Sequence, residues 1–246
     1  MRPHPILCAT LLLAPLSAAA SQTLQDARAF VALRTTHIGA LTPMLGPAMI
    51  GRQPNGAQLA IRYGFNREEI TGGSVNTHAI AGSGVFAIGT GGTWAIHAGV
   101  TDADCEGCSP EMMLGVGGET RVFEIGDFLG AGSSLSIGIS GDAGYAQLKP
   151  DGSALSLGVG APMALQMSSG NNSGMRIIPF VTPVLGIGQI NDCGGGGSCN
   201  GTRFILGGGV ALWNPLTSIS ASVGVNHVFF PDQQPVFGVN VVFGGW

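Results

Sequence analysis

A membrane-spanning antiparallel β-barrel of about ten strands is the fold class this sequence predicts, and three observations predict it. Glycine-rich stretches along the chain alternate apolar and polar residues with period two. The chain opens on a segment laid out like a secretion signal. Nowhere after that segment do eighteen apolar residues run unbroken, so a helical span is excluded. A soluble strand alternates to bury one face. A membrane barrel alternates because lipid lies on one side and the lumen on the other. Behind an export signal the second reading leads, with a soluble β-sandwich as its rival.

Residues 1–20 read as the signal peptide. Arg2 gives a short basic start, Ile6 to Ala14 an apolar run, and Ala18-Ala19-Ala20 a small-residue cleavage site. The run is too short to span a bilayer as a helix. Cys8 lies inside the run and away from the cleavage site, which argues against a lipoprotein. The mature chain is expected to begin near Ser21.

Composition points the same way. Glycine numbers 42 in 246 residues, far above the usual share of about 7 %, yet without the three-residue period of collagen. Charged residues make up 10 %, against a norm of about 25 %, and mean hydropathy is +0.36. A chain so poor in charge needs lipid against much of its outside. With a net charge of −4 and one lysine, Lys149, no nucleic-acid partner is expected.

The strands run in order along the chain. Leu59, Ile61, Tyr63 and Phe65 share one face, opposite Ala60, Arg62 and Gly64. Ile80, Phe86 and Ile88 share a face with Gly82 and Gly84. After a tight turn at Gly91-Gly92, Trp94, Ile96, Ala98 and Val100 alternate with Thr93, His97 and Thr101. Leu114, Val116, Thr120 and Val122 oppose Gly115, Gly117, Glu119 and Arg121. Leu135, Ile137, Ile139 and Tyr145 oppose Ser136, Gly138, Ser140 and Asp142. Leu155, Leu157, Val159, Met163 and Leu165 oppose Ser156, Gly158, Gly160 and Gln166. All have period two and none carries a helical stripe.

The later segments are less regular. The stretch from Met175 to Ile190 contains Pro179 and Pro183, each of which removes a ladder donor. Phe204, Leu206, Val210 and Leu212 share a face before a turn at Asn214-Pro215. Ile219, Ala221, Val223 and Val225 then oppose Ser220, Ser222 and Asn226. Last, Phe237, Val239, Val241 and Phe243 face outward, with Gly238, Asn240 and Gly244 inward. Short connections are expected near Gly89–Gly92 and Asn214–Thr217, and longer ones near Asn66–Asn76, Asp102–Glu111 and Asn191–Gly201. With both termini periplasmic, the longer group falls on the outer side.

Residues 21–56 form a separate N-terminal segment. Thr23 and Asp26 have capping-box spacing before an apolar set that includes Leu24, Ala27, Phe30 and Val31, while Pro43 and Pro47 interrupt the residues after that set. A periplasmic helix, a plug and two extra strands all fit, so the strand count carries the alternatives eight and twelve. The barrel itself is assigned to residues 57–246.

From Ala57 to Trp246 the chain resembles small bacterial outer-membrane β-barrel proteins, on its alternation, its export signal and its terminal aromatic residue. The resemblance implies a location in the outer membrane of a Gram-negative bacterium, contact with outer-membrane lipid, and a terminal Trp246 read by the barrel-assembly machinery. Phe243, Val241 and Val239 lie in the opposite phase to Trp246, which predicts a bulge near Gly244-Gly245.

Which residues carry chemistry? Cys105, Cys108, Cys193 and Cys199 are an even set in an exported chain and read as two local disulfides pinning outer loops. The Cys105–Cys108 pair lacks the helix start that a redox thiolate needs, and the second pair lacks zinc-knuckle spacing. Asp102-Ala-Asp104 opens like an EF-hand loop, but the twelfth position is Met113 where a bidentate glutamate is required. Glu68, Glu69, Asp102, Asp104, Glu106, Glu111, Asp151, Asp192 and Asp232 fall on the expected outer loops. They make either a solvated rim or a divalent-cation surface shared with lipopolysaccharide.

The lumen candidates are Arg62, His97, Glu119, Arg121, Asp142, Gln166, Arg203, Asn226 and Asn240. Charges of both signs can neutralise one another in a closed barrel, or line a narrow pore. For catalysis, His78, His97 and His227 have Ser or Asp nearby, yet no spacing joins nucleophile, base and orienter. No G-x-S-x-G elbow is present either. No catalytic residue, metal centre or cofactor is therefore expected. Three function classes remain: a structural or surface-exposed barrel with a closed or narrow lumen, a porin-like small-solute channel, and a membrane-embedded hydrolase.

Overall fold

The computed structural model describes residues 57–70, 73–89, 91–104, 109–148, 152–168, 174–191, 198–214, 219–228 and 236–243. The expectations for the signal segment 1–20, the segment 21–56, Cys105, Glu106, Cys108, Asp151, Asp192, Cys193, Asp232, the bulge at Gly244-Gly245 and Trp246 lie outside them.

Eleven ladder segments make up the described chain: β1 (Gln58–Ile70), β2 (Gly73–Ile88), β3 (Gly92–Ala103), β4 (Glu111–Gly126), β5 (Ser133–Leu148), β6 (Gly152–Gly160), β7 (Met163–Ser168), β8 (Arg176–Asn191), β9 (Ser198–Asn214), β10 (Ile219–Val228) and β11 (Val236–Phe243). Every pairing between them is antiparallel, and β1 pairs with β11, so the sheet closes on itself and leaves no edge running its full height.

β6 and β7 are two parts of one strand, which makes the barrel ten-stranded. Gly160 lies opposite Ser140 and Val184, and Met163 opposite Ile137 and Val181, so the register is unbroken across the gap. The gap is chemical. Pro162 accepts a bond from Gly138 N–H at 2.8 Å but has no N–H to return. Pro183 does the same for Ala161 N–H at 3.0 Å. Each proline removes one bond of a pair and keeps the other, and β8 still runs sixteen residues through Pro179 and Pro183.

Tracing partners from strand to strand around the ring gains about twelve residues on the return to β1. With ten strands, that stagger sets a tilt of about 40° and a Cα radius of about 10 Å.

Outward alternation matches the expected phases. Leu59, Ile61, Ile96, Val100, Leu114, Val116, Ile139, Tyr145, Leu155, Leu157, Leu185, Ile187, Phe204, Leu212, Val223 and Val225 are all exposed. From Ile177 to Ile187, ten residue steps of 3.3 Å at that tilt rise about 25 Å, the height of the apolar band of a membrane barrel. Beyond it the outward face turns polar at Arg67, Asp102, Gln147, Gln189 and Thr202. Aromatic residues sit toward both edges of the band. Phe86 stacks on Trp94 at 4.6 Å near the rim where β1 begins, and Tyr63 and Phe65 flank His78 nearer the other.

The expected longer connection at Asn66–Asn76 is corrected. β1 and β2 stay paired from Asn66↔Thr77 to Ile70↔Gly73. Residues 66–69 are polar because the hairpin has risen past the lipid band, where the outward face no longer needs to be apolar. The expected contrast of one short-looped rim and one long-looped rim is absent too. The first rim, where β1 begins, carries the connections at 89–91, 127–132, 169–175 and 215–218. The second carries those at 71–72, 104–110, 149–151, 192–197 and 229–235. Both rims mix tight and longer connections.

Candidate functional site

The lumen wall is built mainly from small residues, which leave room for a few large ones. Ala60, Val85 and Ala95 pack together, and Ala164, Ile178, Phe180, Ala211 and Trp213 form a larger apolar cluster. Both clusters sit toward the first rim, on the opening residues of β1, β3 and β8, the closing residues of β2 and β9, and on β7. Arg176 lies over the Trp213 ring at 4.9 Å.

Above these clusters, near mid-height, lies a polar layer. Arg62 on β1, Ser83 on β2, His97 on β3 and Asp142 on β5 face inward, and Arg62 and Ser83 are each 2 % exposed, His97 5 %. Ser83 and His97 are direct cross-strand partners, and Ser83 Oγ and His97 Nδ1 share a hydrogen bond of 2.9 Å. That bond fixes the imidazole ring. Its Nε2 is buried and has no hydrogen-bond partner among the described residues.

Asp142 is seated between two glycines, Gly117 on β4 and Gly158 on β6. A Cβ on Gly158 would overlap the Asp142 carboxylate. A Cβ on Gly117 would stand 3.4 Å from Asp142 Cβ and 3.5 Å from His97 Nε2. The glycines therefore let both polar side chains lie along the wall. Both Asp142 carboxylate oxygens are buried without a hydrogen-bond partner among the described residues, and so is Ser140 Oγ. Their counter-charge is Arg62, whose field reaches Asp142, Glu119 and His97. In a low-dielectric interior, charges of opposite sign at such range offset part of the desolvation that buried them.

Of the expected lumen residues, Arg62, His97, Asp142, Gln166 and Asn226 are buried on the inward face. Glu119 lies inward between Thr93 and Ser140. Arg121 lies inward opposite Gly138, nearer the first rim, and forms a 2.6 Å ion pair with Glu124. In a regular strand residues three apart face opposite ways. Here the register slips by one between Arg121 and Phe123, and that bulge at Val122 turns both charges inward. Arg203 and Asn240 stand at ladder positions opposite Gly186 and Arg62 respectively, with their side chains outside the description. Cys199 is placed likewise, opposite Ile190.

The structure does not bring the three histidines together. His97 faces the lumen, whereas His78 is exposed on the outer wall, sharing a 2.7 Å hydrogen bond with Tyr63 Oη, and His227 follows Val225 in the outward phase. Among the described residues no group of three or more His, Cys, Asp or Glu is placed to hold a metal ion. The strands flanking the two cysteine-bearing connections end on the same second rim, with Asp102, Asp104 and Glu111.

Sequence reasoning missed Ser83 and the apolar cluster, and it left Ser140 out of the lumen set although it placed that residue in the phase of Asp142. Ser83 was legible as the phase opposite Gly82 and Gly84, but serine carries no charge to draw attention. Ile178 and Phe180 flank Pro179, and the two prolines of that stretch obscure its alternation when the strand is read alone.

No family model and no curated protein matches the chain. Solved structures do. LpxR from Salmonella typhimurium is similar with a TM-score of 0.50 at 11 % identity, over 77 % of this chain and 84 % of that one. The β-domain of the Bordetella autotransporter BrkA also reaches 0.50, at 10 % identity, over 77 % of this chain and 100 % of that one. At such identities the likeness is one of fold. The chain has the fold of the bacterial outer-membrane β-barrels.

Proposed function

We propose that this protein is a barrel of the bacterial outer membrane with a closed lumen, and that its role is structural or exercised at its rims. The burial of the lumen side chains carries this reading. Arg62 and Ser83 are 2 % exposed, and Phe180 and Trp213 only 7 % and 8 %. A conducting pore needs a continuous wetted path, whereas these groups lie in a packed interior. In this reading the polar layer is internal scaffolding, tying β1, β2, β3 and β5 together at mid-height, and it performs no catalysis.

Lipid covers the apolar band, and the barrel-assembly machinery inserts the chain. The second rim faces outward, where Asp102, Asp104 and Glu111 offer carboxylates to divalent cations and the disulfides of Cys105, Cys108, Cys193 and Cys199 pin the loops. Single-channel recording tests the reading. Mature protein refolded in detergent, verified by heat-shifted gel mobility, is expected to give no discrete current steps in a planar bilayer. Steps whose size or ion selectivity changes with Arg121→Ala would replace it with the small-solute channel.

A further inference from the structure

The β4–β5 hairpin is built unlike the rest of the first rim. β3 pairs with β4 no further than Gly92↔Thr120, yet β4 and β5 stay paired through Gly126↔Ser134. The hairpin therefore projects past its β3 neighbour by roughly 12 Å along the barrel axis. Its outward residues do not turn polar there, as those at the second rim do. Val122, Phe123, Ile125, Phe128 and Leu129 are all exposed, Val122 at 62 % and Leu129 at 64 %.

Two further features fit an apolar environment. First, the bulge at Val122 places Phe123 and Ile125 outward opposite Ile137 and Leu135, and turns Arg121 and Glu124 inward onto each other. The outer side of the projecting strand carries no charge. Second, the turn bonds five of its own amides. Asp127 N–H donates to Ser133 O, Gly130 N–H to Asp127 O, and Ser133 N–H to Gly130 O. Leu129 N–H donates to Ser133 Oγ and Gly132 N–H to Asp127 Oδ1. Ser168 Oγ, on β7, closes the set by donating to Gly132 O at 2.8 Å. The positive φ angles this requires fall on Asp127, Gly130 and Gly132. Each amide bonded within the turn lowers the cost of placing it at the edge of the hydrocarbon.

We propose that the β4–β5 tip is a membrane-interface anchor: Phe128 and Leu129 lie in the headgroup and acyl boundary of the leaflet at the first rim, prolonging the lipid-facing wall on one side of the barrel. The occupant is lipid because the tip prolongs the lipid-facing wall, through exposed Val116, Val122, Phe123 and Ile125 on β4 and Ile139 on β5, with Thr120 the one polar outward residue of β4 along the way. The barrel consequently presents a taller apolar face on its β4–β5 side. It accommodates the mismatch by tilting or by thickening the bilayer locally. This inference rests on the membrane-embedded reading of the barrel.

Photocrosslinking tests it. Leu129 is replaced by p-benzoylphenylalanine in the full chain, refolded into phosphatidylethanolamine–phosphatidylglycerol vesicles, with the same replacement at Val116 marking mid-band lipid contact. Irradiation is expected to add one phospholipid mass at both positions, with yields agreeing within about tenfold. Labelling at 116 with a yield at 129 lower by more than that margin, or with a polypeptide adduct at 129, overturns the anchor and leaves the barrel reading intact. Failure at both positions overturns both. Phe128→Ser combined with Leu129→Ser keeps the heat-shifted form, because the tip lies beyond the ladders that close the ring.

Discussion

Asp142 between Gly117 and Gly158 shows how this barrel admits a charge to its interior. A carboxylate buried there needs lateral room and a counter-charge. Glycine on each side supplies the first and Arg62 the second. Valine at Gly158 is expected to destabilise the barrel by about 1–3 kcal/mol through overpacking. Valine at Gly82, whose added Cβ would meet nothing within 4 Å, is expected to shift stability by no more than about 0.5 kcal/mol. Urea unfolding of vesicle-inserted protein, monitored by tryptophan fluorescence, compares the two. Arg62→Met leaves the buried Asp142 carboxylate without its counter-charge and is expected to destabilise by about 3–5 kcal/mol. If the ion pairing is what Arg62 supplies, Arg62→Met with Asp142→Asn recovers part of that loss in a double-mutant cycle. Additive losses would show that Arg62 acts by packing alone. Ser83→Ala leaves His97 Nδ1 buried without its bond, an expected loss of about 1–3 kcal/mol.

A strand of this barrel is defined by its phase, and β4 shows where the phase can be changed. The extra residue of the bulge is Val122, so deleting it restores plain alternation and keeps Arg121 and Glu124 inward, Phe123 and Ile125 outward. That deletion is expected to retain the heat-shifted form on gels. Deleting Val116 is different. If the bulge absorbs the slip, residues 117–121 shift by one place and Glu119 and Arg121 swing onto the lipid face, where a charge costs more the deeper it lies, up to about 2–4 kcal/mol for an arginine at the midplane. Loss of the heat-shifted form is expected for that variant. Equal behaviour of the two deletions would remove the bulge from its assigned role. The same logic explains the loop misread at residues 66–70. Alternation reports a strand where lipid abuts it, and above the band β1 and β2 continue their ladder without that signature.

At the scale of the whole molecule, the apolar clusters at the first rim and the polar layer above them act as one closed interior. Water-soluble thiol reagents measure the closure directly, in a background where the native cysteines are serine. A cysteine at Ser83 is expected to react about 100-fold more slowly than one at Asp104 on the second rim, since reagent reaches it through local opening alone. Comparable rates would mean a wetted lumen and would favour the channel reading alongside any measured current. Ring closure by β1 and β11 also leaves only short free edges, such as the projecting part of β4, so edge-to-edge association of folded barrels is not expected to run along the full wall.

Much of this architecture was legible in one dimension. Period-two alternation is a local property of each strand, so the number of strands and the inward set of Arg62, His97, Glu119, Asp142 and Asn226 came from reading along the chain. Even the proline-broken stretch at Gly160–Met163 belonged to one strand, because its phase carried across the break. The tertiary structure alone decided the rest. Register around a closed ring depends on all ten neighbours at once, and it is register that lifts the β4–β5 hairpin past β3. It also sets Ser83 beside His97, and it seats Asp142 between glycines that lie 25 residues before it and 16 after it. Strand phase places a residue inside or outside. Its height and its partners are fixed by stagger, which is a property of the closed barrel and of no single strand.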